Sequence, residues 1–327
     1  MTPLFTVLTP TFNRAHTLPR VWESLKAQTF DAFEWVVVDD GSSDGTEELV
    51  AGWSAQASFP VRYFRQENKG KHVAMNRGVS AAAGELIVSL DSDDACVPEA
   101  LERLAFHWRS IPEARRKAYY AVVCQCAGLD GRMVADPFPK DVIDGLGLDA
   151  RYVFKLRGEN WGAVRTDLMR ATPFPEKPER TYLPESLVWD RLGMRYLARF
   201  VNEPLRIYHW EPGEGSLGTP GDPARHAWGG MLQHRIVIDE QRSYFKAAPL
   251  LFFKSAAYYV RFGFHAGISI RDQRRALSSA GARALWLCGL PAGWAAFRID
   301  RFRRRGRPAT LAGPARPTGG SASSGGR

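Results

Sequence analysis

The chain has 327 residues, of which 45% are hydrophobic and 12% aromatic, and it carries a formal net charge of +9. This length and composition are ample for a globular protein with one large or two ordinary domains. The charge is concentrated near the end, because residues 298–327 contribute +7 and the first 297 residues only +2. This distribution argues against a broad basic face for specific nucleic-acid binding and indicates a local basic tail.

The cysteines and the apolar segments predict a location. The four cysteines, at positions 96, 124, 126 and 288, form neither a zinc-ligand pattern nor a disulfide framework, as expected in a reducing compartment. The first residues, MTPLFTVLTPTFNR, lack the regions of a signal peptide. The longest apolar run, 284–297, is too short to span a bilayer and contains two glycines and a proline. We therefore expect a cytoplasmic protein.

The first hundred residues repeat a strand followed by a helix. The predicted strands are 4–9, 34–39, 61–65 and 85–90, and the predicted helices between them are 15–28, 44–57 and 71–83. Such alternation with short connections is typical of a parallel, doubly wound α/β sheet.

The second half is less regular. A helix is predicted to run from about 98 to 110 and a strand from 119 to 126, followed by a turn-rich stretch at 136–149. A short strand and helix are predicted within 161–170, a helix at 187–199 and a strand at 206–210. Helical patterns continue at 224–247 and 248–263, and the Gly, Ser, Pro and Arg composition after 306 predicts disorder.

The loops after the four strands hold the unusual residues, at 10–14, 39–45, 67–72 and 91–94. Parallel strands place these loops at one edge of the sheet, where open α/β sheets bind ligands. Ser43 or Asp44 can cap the following helix. No local structural role accounts for Asp39 and Asp40.

A cluster of acids, Asp91, Asp93 and Asp94, follows the fourth strand directly. Three neighbouring carboxylates repel one another, which favours a bound cation, and oxygen ligands suit Mg²⁺ or Mn²⁺. From the residues alone, a polar loop without a metal is an equally good interpretation.

Four segments together resemble a known family. TPTFNRAHTL, VVVDDGSSDGT, ENKGKHVAMNRG and LIVSLDSDD, in this order and spacing, resemble the nucleotide-sugar-binding half of family 2 glycosyltransferases with the GT-A fold. The resemblance is strong over residues 4–110 and weaker to 210. With the residue patterns, it predicts a GT-A domain over 1–222, in two halves that meet at 110/111, with a mostly parallel sheet flanked by helices. A helical extension over 223–305 and a disordered tail over 306–327 complete this prediction.

The resemblance also implies site residues. It places the nucleotide sugar on Pro10, Thr11, Phe12, Arg14, Asp39, Lys71, Asp91 and Ser92, and the metal on Asp93. In this scheme Phe12 packs on the base, Asp39 accepts a hydrogen bond from a uracil-like imide, and Arg14 and Lys71 are candidates for phosphate contact. Asp91 makes a ribose or water-mediated contact. Each of these residues can instead have a purely structural role in its loop.

A carboxylate farther along the chain is expected to act as general base. Aligning Arg191 and the following Leu with the family's acceptor-side helix puts Glu185 at the catalytic position, although Pro184 and Glu185 stand where family members commonly have Glu and Asp. Asp190 is the alternative base, and Glu185 can also be a simple first-turn helix acid. His209 is not assigned to the metal, because a lone histidine is more often structural.

The resemblance thus implies an inverting transferase. It would move a sugar from a nucleotide diphosphate sugar, a UDP-sugar being favoured, to a hydroxyl of a glycan or lipid-linked acceptor in cell-envelope or exopolysaccharide synthesis. One alternative is a sugar-phosphate nucleotidyltransferase, which would need a Gly-rich basic loop after the first strand. The other is a nonenzymatic protein that binds membrane or nucleic acid through the basic tail.

The end of the chain allows two interpretations. Aromatic and apolar residues fill 250–260 and 284–297, and arginines follow directly. This pattern suits peripheral contact with the anionic inner face of the cell membrane. It is equally typical of helices that pack on the catalytic domain and are followed by a soluble tail.

Overall fold

The computed structural model describes residues 2–177, 181–209, 223–224 and 226–305. The predicted domain boundary at 222 and the predicted tail over 306–327 fall on residues outside these ranges, so both stay predictions.

The first half alternates strands and helices as predicted, with small shifts at their ends. The elements are β1 Phe5–Thr11, α1 Leu18–Lys26, β2 Phe33–Asp39, α2 Thr46–Ser54, β3 Val61–Arg65, α3 Lys71–Ala81 and β4 Leu86–Ser89. The apolar residues of α1 recur at helical spacing and are all buried, which is why this segment forms a helix on the sheet.

β1 extends past its predicted end to include Pro10 and Thr11. It pairs with β2 along its whole length, but its parallel pairing with β4 stops at Leu8. Pro10 has no N–H to donate, and a proline in a central strand would remove a ladder hydrogen bond. Because Pro10 lies beyond the last β4 partner, the strand continues without that loss.

The second half contains more sheet than predicted. Its elements are β5 Ala95–Cys96, α4 Ala100–Arg109, α5 Glu113–Arg116, β6 Tyr119–Gly128, β7 Val142–Leu146, α6 Asp149–Tyr152, β8 Asn160–Arg165, α7 Thr166–Ala171, α8 Ser186–Gly193 and β9 Leu197–Tyr208. The prediction of a helix over 187–199 is wrong in its second part, because α8 ends at Gly193. The residues from Leu197 pair in parallel with β6, so long-range pairing decides their conformation.

The stretch 136–149, predicted to be only turns, contains β7, which pairs antiparallel with β9. Within the described part of the chain the sheet has nine strands in the order β3-β2-β1-β4-β8-β6-β9-β5, with β7 beside β9. β1 to β4 are mutually parallel as predicted, and β8 enters antiparallel to both β4 and β6. The predicted α/β class, a sheet flanked by helices, is confirmed.

Two apolar cores lie on the two faces of this sheet. Alternate residues of β2 divide between them: Trp35 and Val37 face α1, α2 and α4, while Val36 and Val38 face α3, α7 and α8. A strand that is buried on both faces has a continuous run of apolar residues, which explains why the sequence predicted β2 and β4.

The C-terminal region is helical as predicted. It comprises α9 Ala227–Asp239, a 3₁₀ helix Arg242–Ala247, α10 Pro249–His265, α11 Ile270–Arg275 and α12 Ala280–Arg305. α9, α10 and α12 enclose their own small core. In the described residues no helix is both long and apolar enough to cross a membrane.

Candidate active site

The loops after β1 and β2 are joined by hydrogen bonds. Asn13 adopts a left-handed conformation, with φ 53°, and its N–H donates to Ser42 Oγ at 2.8 Å while its Oδ1 accepts from the N–H of Ser43 at 2.8 Å. Asp44 accepts from the N–H groups of Ala15 and Thr46, but the N-cap position of α2 is Gly45, so the prediction that Ser43 or Asp44 caps this helix is wrong. The two loops therefore form one rigid rim at the edge of the sheet.

The predicted nucleotide residues of the first loop lie along this rim. Pro10 and Thr11 are the buried last residues of β1, and Phe12 and Arg14 are partly buried. The Thr11 hydroxyl is buried and has no hydrogen-bond partner among the described residues. Leaving a buried hydroxyl without a hydrogen-bond partner costs free energy.

The prediction that Asp39 and Asp40 lack a structural role is wrong. Asp39 Oδ1 accepts from the N–H of Ser42 at 2.7 Å, and its Oδ2 accepts from the Tyr63 hydroxyl at 2.6 Å. Asp40 accepts from the backbone N–H groups of the third loop, at Lys69 and Gly70, at 2.9 and 2.8 Å. Both carboxylates are buried and hold neighbouring loops together, which no pattern of local sequence could indicate.

The acids after β4 are compensated by protein cations. The Nζ of Lys71 lies 2.5 Å from Asp91 Oδ1, and Arg206 Nη2 lies 3.1 Å from Asp91 Oδ2. Arg206 Nε donates to Asp94 Oδ2 at 2.8 Å. Lys71 and Arg206 therefore relieve much of the repulsion among these acids, so that repulsion by itself does not decide between a cation site and a polar loop.

These contacts shift the pKa values of Asp91 and Asp94 in opposite directions. Burial opposes ionisation of Asp91, but Lys71 and Arg206 outweigh it and lower the pKa of Asp91 to about 2. Asp94 is 1% exposed, and burial raises its pKa to about 6 despite Arg206. Asp94, which had no predicted role, is thus a buried structural partner of Arg206, and its Oδ1 also accepts from the N–H of His209 at 2.8 Å.

Asp93 has a different environment. Its side chain is 37% exposed, and the guanidinium of Arg14 lies 4.0 Å from its carboxylate. One carboxylate oxygen from each of Asp91, Asp93 and Asp94 lies within 4.8 Å of the others. Of the three, Asp93 has the carboxylate that is least engaged by the protein, so the residues fit a divalent cation held at one corner by Asp93. Ser92 between them is buried, and the N–H of Asp94 donates to the Asp91 carbonyl at 3.2 Å across the turn.

Glu185 lies beside the same cluster. It is the residue immediately before α8, and its Oε1 lies 2.7 Å from the Nζ of Lys71. Burial would lower the pKa of Lys71, but Asp91 and Glu185 raise it, so this amine is held as an ammonium between two carboxylates. Lys71, a candidate for phosphate contact, is therefore an ion-pair bridge between Asp91 and Glu185 in this structure.

Asp190, the alternative base, is engaged on both oxygens. It is 4% exposed, and Arg151 donates to its Oδ2 and Oδ1 at 2.7 and 3.0 Å. Gln241 Nε2, from the C-terminal helical region, donates to Oδ2 at 2.8 Å. This carboxylate is occupied in joining α6, α8 and the C-terminal region.

A cavity of about 290 Å³ brings these groups together. Its walls include the carboxylates of Asp91, Glu159, Glu185 and Asp190, together with the guanidinium of Arg206. Trp161 and Trp189 supply aromatic surface to the same walls. Such a mixture of carboxylates and aromatic rings suits a polar, uncharged ligand rich in hydroxyl groups.

Sequence reasoning missed two members of this site. Arg206 is 4% exposed on β9, and its Nη1 lies 3.0 Å from Glu159 Oε1. Burial raises the pKa of Glu159 in spite of this contact. The one available signal was an arginine inside an apolar strand pattern, since a buried charge requires a partner.

Comparison with known proteins identifies the family of one segment of the chain. Residues 6–114 match the family described as Glycosyl transferase family 2. Residues 6–114 belong to glycosyltransferase family 2. This family 2 domain contains all the predicted nucleotide-sugar and metal residues, whereas Glu185 and Asp190 lie beyond it.

Among three similar proteins, the identity is lower where the aligned length is greater. A glycosyltransferase of Nostoc sp. is 37% identical over 98 residues, which is 30% of each chain. YibD of Escherichia coli is 27% identical over 58% of this chain and 43% of its own length. The chain thus spans well under two thirds of these two relatives. The GalNAc(5)-diNAcBac-PP-undecaprenol beta-1,3-glucosyltransferase of Campylobacter jejuni is 26% identical over 79% of this chain and 83% of its own length.

Among solved structures, residues 1–349 of S. aureus TarS in complex with UDP-GlcNAc align over 93% of both chains. The TM-score is 0.58 and the sequence identity 18%. This similarity confirms the predicted GT-A fold around the family 2 domain.

Proposed function

We propose that the protein is an inverting glycosyltransferase that moves a sugar from a nucleotide diphosphate sugar to an acceptor hydroxyl. The observation that carries the proposal is the bridge through Lys71, which sets Glu185 beside Asp91 in one cavity. The family 2 domain supplies the donor half of such a site, and Glu185 supplies a carboxylate from outside that domain.

On the donor side, the proposal assigns the nucleotide to the rim formed by the first two loops. Phe12 would pack on the base, and Asp39 would accept a base N–H through a remaining lone pair. Thr11 and Arg14 lie at the same rim, where an unpaired buried hydroxyl and a guanidinium suit a polar, anionic ligand. TarS was crystallised with UDP-GlcNAc, so UDP-sugars are the first donors to test.

The proposal assigns Mg²⁺ or Mn²⁺ to Asp93, with Asp91 nearby. A bound divalent ion supplies neutralisation of the charge that grows on the leaving diphosphate. Asp91 would contact the ribose or a metal-bound water. Arg206 would hold the acidic loop in place through Asp94, so that Asp93 keeps its exposed position.

On the acceptor side, Glu185 would accept the proton of the attacking hydroxyl. It suits this role better than Asp190, because both oxygens of Asp190 are already bonded to Arg151 and Gln241. A base must be able to reach its proton, and a buried carboxylate whose two oxygens are both bonded to Arg151 is poorly placed for that.

We propose a glycan or lipid-linked acceptor in cell-envelope or exopolysaccharide synthesis. The name of the Campylobacter jejuni relative specifies an undecaprenol-linked acceptor for that protein. A lipid-linked acceptor would be presented at a membrane, so the proposal includes a peripheral position on the inner face of the cell membrane. The C-terminal helices and the arginines after residue 297 would make this contact.

The test is a donor screen with Mn²⁺ or Mg²⁺ that measures release of nucleotide diphosphate. Asp93→Asn should lose metal-dependent turnover while its circular dichroism spectrum is unchanged, and full activity in this variant would contradict the metal assignment. Glu185→Gln should bind donor with unchanged affinity and lose transfer by a factor on the order of 10²–10⁴. If Asp190→Asn gives that result instead, Asp190 is the base. Release of pyrophosphate in place of nucleotide diphosphate would indicate a nucleotidyltransferase.

A further inference from the structure

The last helix of the described chain, α12, has one face that is clearly packed. Trp286 on this face is 2% exposed. Gly289 and Gly293 have no side chains and lie against α10, where an added Cβ would be 2.5 Å from backbone atoms of Ala256 and Ala257. The prediction that this segment packs on the rest of the protein is thus correct for one side of the helix.

The opposite face of α12 is apolar and exposed. Its members over residues 284–295 are all exposed and carry no charge: Ala284, Leu287, Cys288, Pro291, Ala292, Trp294 and Ala295. Leu287 and Trp294 are 57% and 51% exposed. This face extends for about 17 Å at the helical rise per residue. We call it the α12 apolar face.

Large exposed apolar side chains are concentrated in this region of the protein. Of the 13 found in the described residues, eight lie between residues 249 and 302. Soluble monomers scatter such residues singly, and a contiguous patch marks an interaction surface. The α12 apolar face is therefore a candidate interaction surface.

Arginines continue the same helix directly after this face. Arg298, Arg301 and Arg303 are exposed, and the guanidinium of Arg298 lies 5.3 Å from the Trp294 ring. The one acid in the α12 sequence, Asp300, is bonded to Arg261 and His265 of α10. It therefore does not neutralise the exposed arginines.

We propose that the α12 apolar face and its arginines dock on the surface of an anionic lipid bilayer. An apolar stripe beside uncompensated arginines matches a surface that offers acyl chains below a layer of negative headgroups. A second copy of this chain fits less well, because the α12 apolar face carries no acid that could pair with the exposed arginines.

The docked helix would be fixed relative to the candidate active site. Gln241, between α9 and α10, donates to Asp190 of α8 and accepts from the hydroxyl of Tyr152 at 2.5 Å. Arg191 of α8 forms an ion pair with Glu240 at 3.1 Å. Through these contacts, attachment of α12 to a bilayer sets the position of the acceptor-side helix. The docking specifies the membrane contact that the proposed function includes, and both it and this consequence rest on that function.

The experiment uses the full chain labelled at Cys288 with an environment-sensitive bimane. Cys288 lies on the α12 apolar face and is exposed, while Cys96, Cys124 and Cys126 are buried. With vesicles of phosphatidylglycerol and phosphatidylcholine we expect a blue shift of the label and flotation of the protein. With pure phosphatidylcholine, or at 1 M salt, flotation should fall about tenfold or more, because each arginine near an anionic surface contributes about 1 kcal/mol, a factor of about five.

Two variants and a matched control separate the contributions. Leu287→Ser with Trp294→Ser should reduce flotation about tenfold, and Arg298→Gln with Arg301→Gln should do so on anionic vesicles. Phe106→Ser, which changes an equally exposed side chain on α4, should have no effect. All variants should keep donor turnover on a soluble acceptor, so loss of docking is distinguishable from failure of the proposed function.

Three results would overturn the proposal. The first is absence of flotation in the unmodified chain, and the second is full flotation in the Leu287 and Trp294 variant. The third is a dimer in sedimentation velocity without vesicles that this variant converts to monomer, which would make the α12 apolar face an interface between copies of the chain.

Discussion

Replacing Arg206 by methionine tests whether a buried cation holds the acidic loop together. Arg206 and Asp94 are 4% and 1% exposed, and the Nε of Arg206 donates to the Asp94 carboxylate at 2.8 Å. Methionine keeps most of the apolar volume of the arginine stem and removes the charge. Asp94 would then be a buried carboxylate that accepts a hydrogen bond from the N–H of His209 but has lost its guanidinium partner.

The magnitude follows from burial. Removing one partner of a buried ion pair costs about 3–5 kcal/mol, since the other charge is left uncompensated. The contacts of Arg206 with Asp91 and Glu159 add less, because those side chains are 30% and 46% exposed and water screens them. We therefore expect Arg206→Met to lower the free energy of unfolding by about 3–5 kcal/mol.

Urea unfolding at pH 7.5 in EDTA, followed by circular dichroism, measures this change. Glu159→Gln is the control, with an expected cost below about 1 kcal/mol. Adding Asp94→Asn to Arg206→Met should restore part of the stability, because an amide is far less costly to bury than a carboxylate. A cost below about 1 kcal/mol for Arg206→Met, or no recovery in the double variant, would refute the reasoning.

Three further predictions concern packing and pH. Gly289→Ala should destabilise the protein by about 1–3 kcal/mol in thermal unfolding, because the added Cβ would overlap the α10 backbone. Gly52→Ala is the control: its Cβ would meet nothing within 4 Å, and the variant should be more stable by about 0.5–1 kcal/mol. Burial lowers the pKa of His234 from 6.5 to about 4, so the free energy of unfolding should fall by up to about 2 kcal/mol as pH falls from 7.5 to 4.5. The His234→Phe variant should lose less stability over this range, and an unchanged pH dependence would contradict this. Hydrogen bonding to Arg103 lowers the pKa of Glu203 to about 2, so Glu203→Gln should lower the free energy of unfolding by about 1–2 kcal/mol at pH 7. This difference should shrink as pH falls from 4.5 towards 2, and a constant difference would contradict the ion pair.

Much of the first half of the fold was predictable. The alternation of apolar runs and helical patterns predicted β1 to β4 and the helices between them, because these patterns are local and β1, β2 and most of β4 are buried on both faces. The segment after Gly193 was assigned to a helix, although it is strand β9. Pairing with β6, which lies far away in the sequence, decides that conformation.

The candidate site was predictable in its residues and less so in its contacts. Asp93 and Glu185 were singled out through the family resemblance, and their roles stay predictions that the variants above address. Lys71 stays a candidate for phosphate contact, and in this structure it joins Asp91 to Glu185. Local sequence predicts the helix, strand or loop on which a charged residue lies. It does not predict which oppositely charged residue the fold places beside it.

The sequence by itself determined which loops meet at one edge of the sheet, because parallel strands with short connections leave no other arrangement. It also determined that residues 6–114 carry the marks of a family 2 domain. Only the tertiary structure decided how the acids after β4 are neutralised, since Arg206 is 112 positions from Asp94 and 115 from Asp91. The free energy of a buried charge depends on its partner in space, and that partner is known only when β9 is placed in the sheet.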